Sequence, residues 1–139
     1  MARIVLFHAN EDILEGMITV LMRAGHEATA RAITASTHAA AMAELIAGHQ
    51  PDVVVFDVGA PRGTSLQRLR ELRSLPGVTD VPFVLTSPAE LPLAPDDHAV
   101  TAVVGEPFRF DAVLDAVEQV LRRPPQSARS ASRSCRIMR

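Results

Sequence analysis

Four short apolar runs break an otherwise mixed chain: IVLF at 4–7, VVVFD at 53–57, PFVLT at 82–86 and TAVV at 101–104. Continuous apolar runs of this length, rich in β-branched residues and bounded by Gly, Pro or polar clusters, predict buried strands. A fifth segment, EATARA at 27–32, is a weaker strand candidate. Between the runs the pattern changes to a helical spacing. Ile13, Leu14, Met17, Val20, Leu21 and Ala24 fall on one helix face, with Asn10 placed as N-cap, Glu11 and Asp12 in the first turn and Gly25 as the stop. An alanine-rich helix is expected over 34–48, with Met42, Leu45 and Ile46 on one side. A third is expected over 65–75, with Leu66, Leu69 and Leu72 inward, and a last one through Phe110, Val113, Leu114, Val117, Val120 and Leu121. Residues 87–98 (SPAELPLAPDDH) hold three prolines. An interior proline costs a helix about 3 kcal/mol, so this segment is expected to be a loop with at most one helical turn.

Strands alternating with helices predict an α/β fold, a doubly wound parallel sheet covered on both faces, with right-handed crossovers. Beyond residue 123 the periodicity stops. PPQSARSASRSCRIMR offers Ile137 and Met138 as its only large apolar residues, too little to offset the entropy of ordering. The organisation expected is one domain over 1–123 and a disordered Arg/Ser-rich tail over 124–139.

Charge sharpens that division. All 16 acids lie in 1–123 with ten of the 14 basic residues, a balance of −6, whereas the tail carries four arginines and no acid. Four charges without interleaved aromatics are a weak nucleic-acid footprint, so a solvated tail is expected, with no nucleic acid on the body. Every basic residue is arginine. The single cysteine, Cys135, excludes an internal disulfide and a cysteine-built zinc site. No apolar run approaches the ~20 residues of a membrane span, and the chain opens into a strand rather than a signal-peptide layout. A cytoplasmic protein with no membrane contact is expected.

In doubly wound sheets the chemistry sits at the carboxyl ends of the strands. Here those ends deliver His8 and Ala9, then Asp57, then Thr86 and Ser87, then Gly105, Glu106, Pro107 and Phe108. No Gly-rich phosphate loop follows the first strand, which argues against a nucleotide site. No nucleophile and base stand out as a hydrolase pair, so a non-enzymatic role is expected.

These residues carry a family resemblance over about 3–122. PDVVVFDVGAPRG resembles the phosphorylation-site segment of bacterial response-regulator receiver (CheY-like) domains, with Asp57 at the phosphoacceptor position. VPFVLTS resembles the fourth strand of that family, with Thr86 at the switch hydroxyl position. GEPF resembles the Lys-Pro-Phe turn before its last helix, and the helix closing at RAGH (23–26) also matches. The resemblance implies a flavodoxin-like five-stranded sheet of order 2-1-3-4-5 and a signalling role in two-component phosphorelay. It implies a sensor kinase or a downstream signalling protein as partner.

The departures shape the functional expectation. The family's adjacent Mg²⁺-holding acids are His8 and Ala9 here, its phosphoryl-pairing lysine is Glu106, and the aromatic that moves with the switch hydroxyl is Val103. Mg²⁺ takes oxygen ligands in octahedral geometry. Ala9 offers none and neutral His8 is a poor ligand, so Mg²⁺ binding is expected to be weak. Two unit charges ~4 Å apart interact by about 4 kcal/mol at an effective dielectric of about 20; Glu106 reverses the sign of that interaction toward a phosphorylated Asp57. The expected reading is a degenerate, single-domain receiver-like module with weak or no Mg²⁺-dependent phosphorylation, acting by protein contact. It is expected to be a monomer in isolation, because the shortened 87–98 segment alters the face on which the family often assembles. The alternative is a metal- or small-ligand-binding α/β domain reusing the strand-end pocket, with Zn²⁺ on His8, Asp57 and Glu106 as one version. If the three converge, repulsion between the carboxylates predicts a protonated His8 with a raised pKa. The other histidines (26, 38, 49 and 98) read as exposed polar residues, Glu11 as a first-turn acid, and Ser87 as a cap for the turn that follows it.

Overall fold

The computed structural model describes residues 2–59, 62–87, 100–105 and 109–122. Among these residues there are five strands: β1 (Arg3–His8), β2 (Glu27–Ala32), β3 (Val53–Asp57), β4 (Phe83–Ser87) and β5 (Val100–Gly105). The helices among the described residues are α1 (Glu11–Arg23), α2 (Ala39–His49), α3 (Arg62–Arg73) and α4 (Phe110–Arg122). The sheet has the order β2-β1-β3-β4-β5, and every pairing is parallel. This is the expected doubly wound, flavodoxin-like arrangement.

Because side chains alternate along a strand, each central strand feeds two cores. Val5, Phe7, Val54, Phe56, Phe83 and Leu85 join Met42, Ile46, Leu69 and Leu72 on the side of α2 and α3. Ile4, Leu6, Val53, Val55 and Val84 join Leu14, Met17, Leu21, Val113 and Val117 on the side of α1 and α4. Both faces being covered explains why β1, β3 and β4 read as unbroken apolar runs. β2 is an edge strand facing one core with Ala28, Ala30 and Ala32, which is why its sequence signal was weak.

The ends of α1 follow from its caps. Asn10 Oδ1 accepts from the backbone N–H of Asp12 and Ile13. Gly25 adopts φ +93°, and the N–H groups of Gly25 and His26 donate to Met22 and Leu21 carbonyls at 3.0 and 3.1 Å. That is the paired C-terminal bonding that a left-handed glycine permits. Within α1, Gly16 leaves the space taken by the Phe110 ring of α4; a Cβ at residue 16 would collide with that ring.

Two helix starts differ from expectation. α2 begins at Ala39 rather than at residue 34. Residues 34–37 form a turn instead, with Thr34 N–H donating to Thr37 Oγ1 at 2.9 Å and Thr37 N–H to Thr34 O at 3.1 Å. Local Ser/Thr bonding of this kind competes with helix. α3 begins earlier than expected, at Arg62, and ends at Arg73 rather than residue 75. The expectations for residues 88–98, for Pro107 and Phe108 and for the tail from 124, and with them the domain boundary at 123, lie outside the described residues.

Candidate functional site at the carboxyl edge of the sheet

Strand parity places the site. Asp57 follows Val53 and Val55, His8 follows Ile4 and Leu6, and Thr86 follows Val84, so all three lie on the α1/α4 side at the end of their strands. Asp57 and Thr86 are register partners. Both are buried, as is His8; Asp57 retains 7% of its surface and His8 6%.

The contacts converge on one oxygen. Thr86 Oγ1 donates to Asp57 Oδ1 at 2.6 Å. His8 Nε2 stands 3.4 Å from the same Oδ1. That distance is within ion-pair range, but the alignment is not that of a hydrogen bond, and Nε2 has no hydrogen-bond partner among the described residues. His8 Nδ1 accepts the backbone N–H of Asn10 at 2.9 Å. The expectation of a raised pKa at His8 is corrected: burial lowers it, and the attraction of Asp57 only partly opposes that. The imidazole is removed from water more effectively than one carboxylate at 3.4 Å can compensate.

Asp57 also borders a cleft of ≈ 70 Å³ lined by Ala9, Thr34, Gly59, Ser65 and Arg68. Gly59 approaches the carboxylate closely, since a Cβ there would lie 3.0 Å from Asp57 Oδ2. Its carbonyl accepts the Ser65 hydroxyl at 3.0 Å. Arg68 was not singled out by the sequence, where it reads as one more solvated helix arginine. It reaches across from α3 and donates through Nη1 to Thr34 O at 2.6 Å and Thr37 O at 3.2 Å, and burial lowers its pKa.

Among the described residues the donor set falls short of what Mg²⁺ takes. Ala9 is exposed and has no side-chain donor, His8 presents an imidazole where an acid would be needed, and the Gly59 carbonyl is engaged by Ser65. Among the described residues no group of three or more His, Cys, Asp or Glu side chains could hold a metal ion. Glu106, the third member of the expected His8, Asp57 and Glu106 cluster, lies outside the described residues. Val103 pairs with Leu85 on the opposite side of the sheet and is 42% exposed.

Ser87 is buried as the last residue of β4, and the turn it is expected to cap lies outside the described residues. One other expectation changes. His26 is not an exposed polar residue: its Nδ1 accepts Ala2 N–H at 3.2 Å and its Nε2 meets Glu118 Oε2 at 3.3 Å, which ties the N-terminus and the α1–β2 turn to α4. Glu11, in contrast, is exposed in the first turn of α1, where the helix dipole favours an acid.

No family model matches the sequence, and no curated protein matches it. Solved structures do match its fold. The response regulator TrrA from Thermotoga maritima, in complex with Mg²⁺-BeF, is 19% identical with a TM-score of 0.67, covering 86% of this chain and 99% of that one. The chemotaxis response regulator CheY4 of Vibrio cholerae is 18% identical with a TM-score of 0.68, covering 86% and 98%. NtrX from Brucella abortus, in complex with ADP, is 20% identical with a TM-score of 0.69 over 96% of this chain and 29% of that one. The fold is therefore the one found in response-regulator receiver domains. Among the described residues no helix is long and apolar enough to cross a membrane.

Proposed function

We propose that the chain is a receiver-like signalling module of two-component type in which Mg²⁺-dependent phosphorylation of Asp57 is weak or absent. The observation that carries this reading is the company Asp57 keeps. It stands at the end of β3, as a receiver phosphoacceptor would, with Thr86 donating to Oδ1 and the His8 imidazole beside it. The acid pair that would complete a Mg²⁺ site is replaced by His8 and Ala9. Phosphoryl transfer depends on positioning and on cations that neutralise the transferred oxygens, and His8 and Ala9 supply no carboxylate to hold such a cation beside Asp57.

A module of this kind acts by contact rather than catalysis. Its partner is a sensor kinase or a downstream signalling protein, met in the cytoplasm, and the isolated chain is a monomer. The test is incubation with acetyl phosphate and Mg²⁺, followed by mass spectrometry of Asp57. Little or no modification is expected. Stoichiometric phosphorylation that disappears with a chelator would overturn the reading, and light scattering that gives a stable dimer at micromolar concentration would overturn the monomer.

A further inference from the structure

Asn10 fixes two things at the start of α1. Its side chain caps the helix, and its own backbone N–H donates to His8 Nδ1 at 2.9 Å. An N–H donor needs a lone pair on the nitrogen that accepts it. The neutral imidazole of His8 therefore carries its proton on Nε2, the nitrogen 3.4 Å from Asp57 Oδ1.

We propose that His8 is a fixed, uncharged imidazole built into the site in place of a cation, with its Nε2–H standing beside Asp57 Oδ1, and that it closes this oxygen to metal ions. Three features of the geometry converge on this. A second proton on Nδ1 would face the Asn10 N–H, so the imidazolium form is opposed by the same bond that orients the ring. A transition metal would need the Nε2 lone pair, and in this tautomer Nε2 has none; a metal-bound histidine normally points its other nitrogen, as a donor, at an oxygen. Mg²⁺ would need to reach Asp57 Oδ1 at about 2.0–2.1 Å, and on this side the ion meets the imidazole. Thr86 already donates to the same oxygen. Between them, Thr86 and His8 give the buried carboxylate a hydroxyl and an N–H dipole where a metal would otherwise sit.

This deepens the receiver-like reading and rests on it for the role of Asp57, but the tautomer can be read separately. The full-length chain, labelled with ¹⁵N, reports the His8 tautomer through two-bond ¹H–¹⁵N correlations. Mn²⁺ serves as a paramagnetic probe for the Mg²⁺ position, read at the Asp57 and Val58 amides, and Zn²⁺ is added in a second titration. The expected result is an Nε2–H tautomer at neutral pH, no selective broadening by Mn²⁺, and His8 signals that Zn²⁺ leaves in place. His8→Asp should gain Mn²⁺ broadening at those amides, whereas His8→Asn, which keeps a neutral N–H donor, should not. An imidazolium or an Nδ1–H tautomer in the wild type would overturn the proposal, as would wild-type broadening equal to that of His8→Asp. If His8→Asp does not fold, the wild-type tautomer and its Mn²⁺ response decide alone. An Nε2–H tautomer in a chain that engages no signalling partner would count against the signalling reading and leave the role of His8 standing.

Discussion

Thr86 and Asp57 face each other across adjacent strands, and the Thr86 hydroxyl donates to Asp57 Oδ1 at 2.6 Å with both residues buried. A hydroxyl on an ionised carboxylate out of water is among the stronger side-chain bonds, about 1.5–3 kcal/mol. Thr86→Val keeps the shape and removes the donor, so a loss of about 2 kcal/mol is expected. Thr86→Ser keeps the donor and should lose clearly less. Urea denaturation of the three proteins checks this; equal midpoints for Val and wild type would mean the bond carries no net stability.

The pH dependence follows from His8. Its folded pKa lies below the ordinary value of 6.5 because burial penalises the charged ring. The unfolded chain thus takes up a proton that the folded chain resists as pH falls below about 6.5. The contribution is fully present above that value and is lost as pH falls toward the folded pKa. Urea midpoints measured between about pH 7.5 and 5 should decline for the wild type. The same series on His8→Asn should be flatter, and parallel curves would remove His8 as the cause.

Gly16 and Phe110 test the contact between α1 and α4. Because a Cβ at residue 16 would collide with the Phe110 ring, Gly16→Ala must displace that ring, in spite of the better helix propensity of alanine. Overpacking of this kind costs about 1–3 kcal/mol. Phe110→Leu, combined with Gly16→Ala, should recover part of the loss in thermal unfolding. A Gly16→Ala protein more stable than the wild type would show that the ring has room to move.

Arg68 ties the turn at 34–37 to α3 through two carbonyls. Arg68→Met keeps the aliphatic stem and removes the bridge, with an expected loss of about 1 kcal/mol. Hydrogen exchange is the more selective measurement: the Thr37 amide should exchange faster while amides in β3 are unchanged. Unaltered exchange at Thr37 would mean that the turn holds itself through its own hydroxyls.

The apolar runs by themselves determined the parallel sheet, because a strand covered on both faces must be apolar at every position. Strand parity, also present in the sequence, put His8, Asp57 and Thr86 on one side of the sheet once their strands were placed. The weak edge strand β2 and the Asn10 and Gly25 caps were legible too, since capping depends on residues adjacent in the chain. The starts of α2 and α3 were less so: the alanines after residue 34 read as helix until the Thr34–Thr37 bonds intervened. What only the tertiary structure decided were the relationships between distant groups. The tautomer of His8 depends on where the Asn10 N–H points. Its lowered pKa depends on how far the folded sheet excludes water, which outweighed the carboxylate that the sequence had suggested would raise it. Arg68, His26 and Gly16 look ordinary along the chain; each acquires its role from a partner between 31 and 94 residues away, brought near by the crossovers of the sheet. Local patterns record the burial of each residue on its own element, whereas the chemistry of this site depends on which groups from different strands meet.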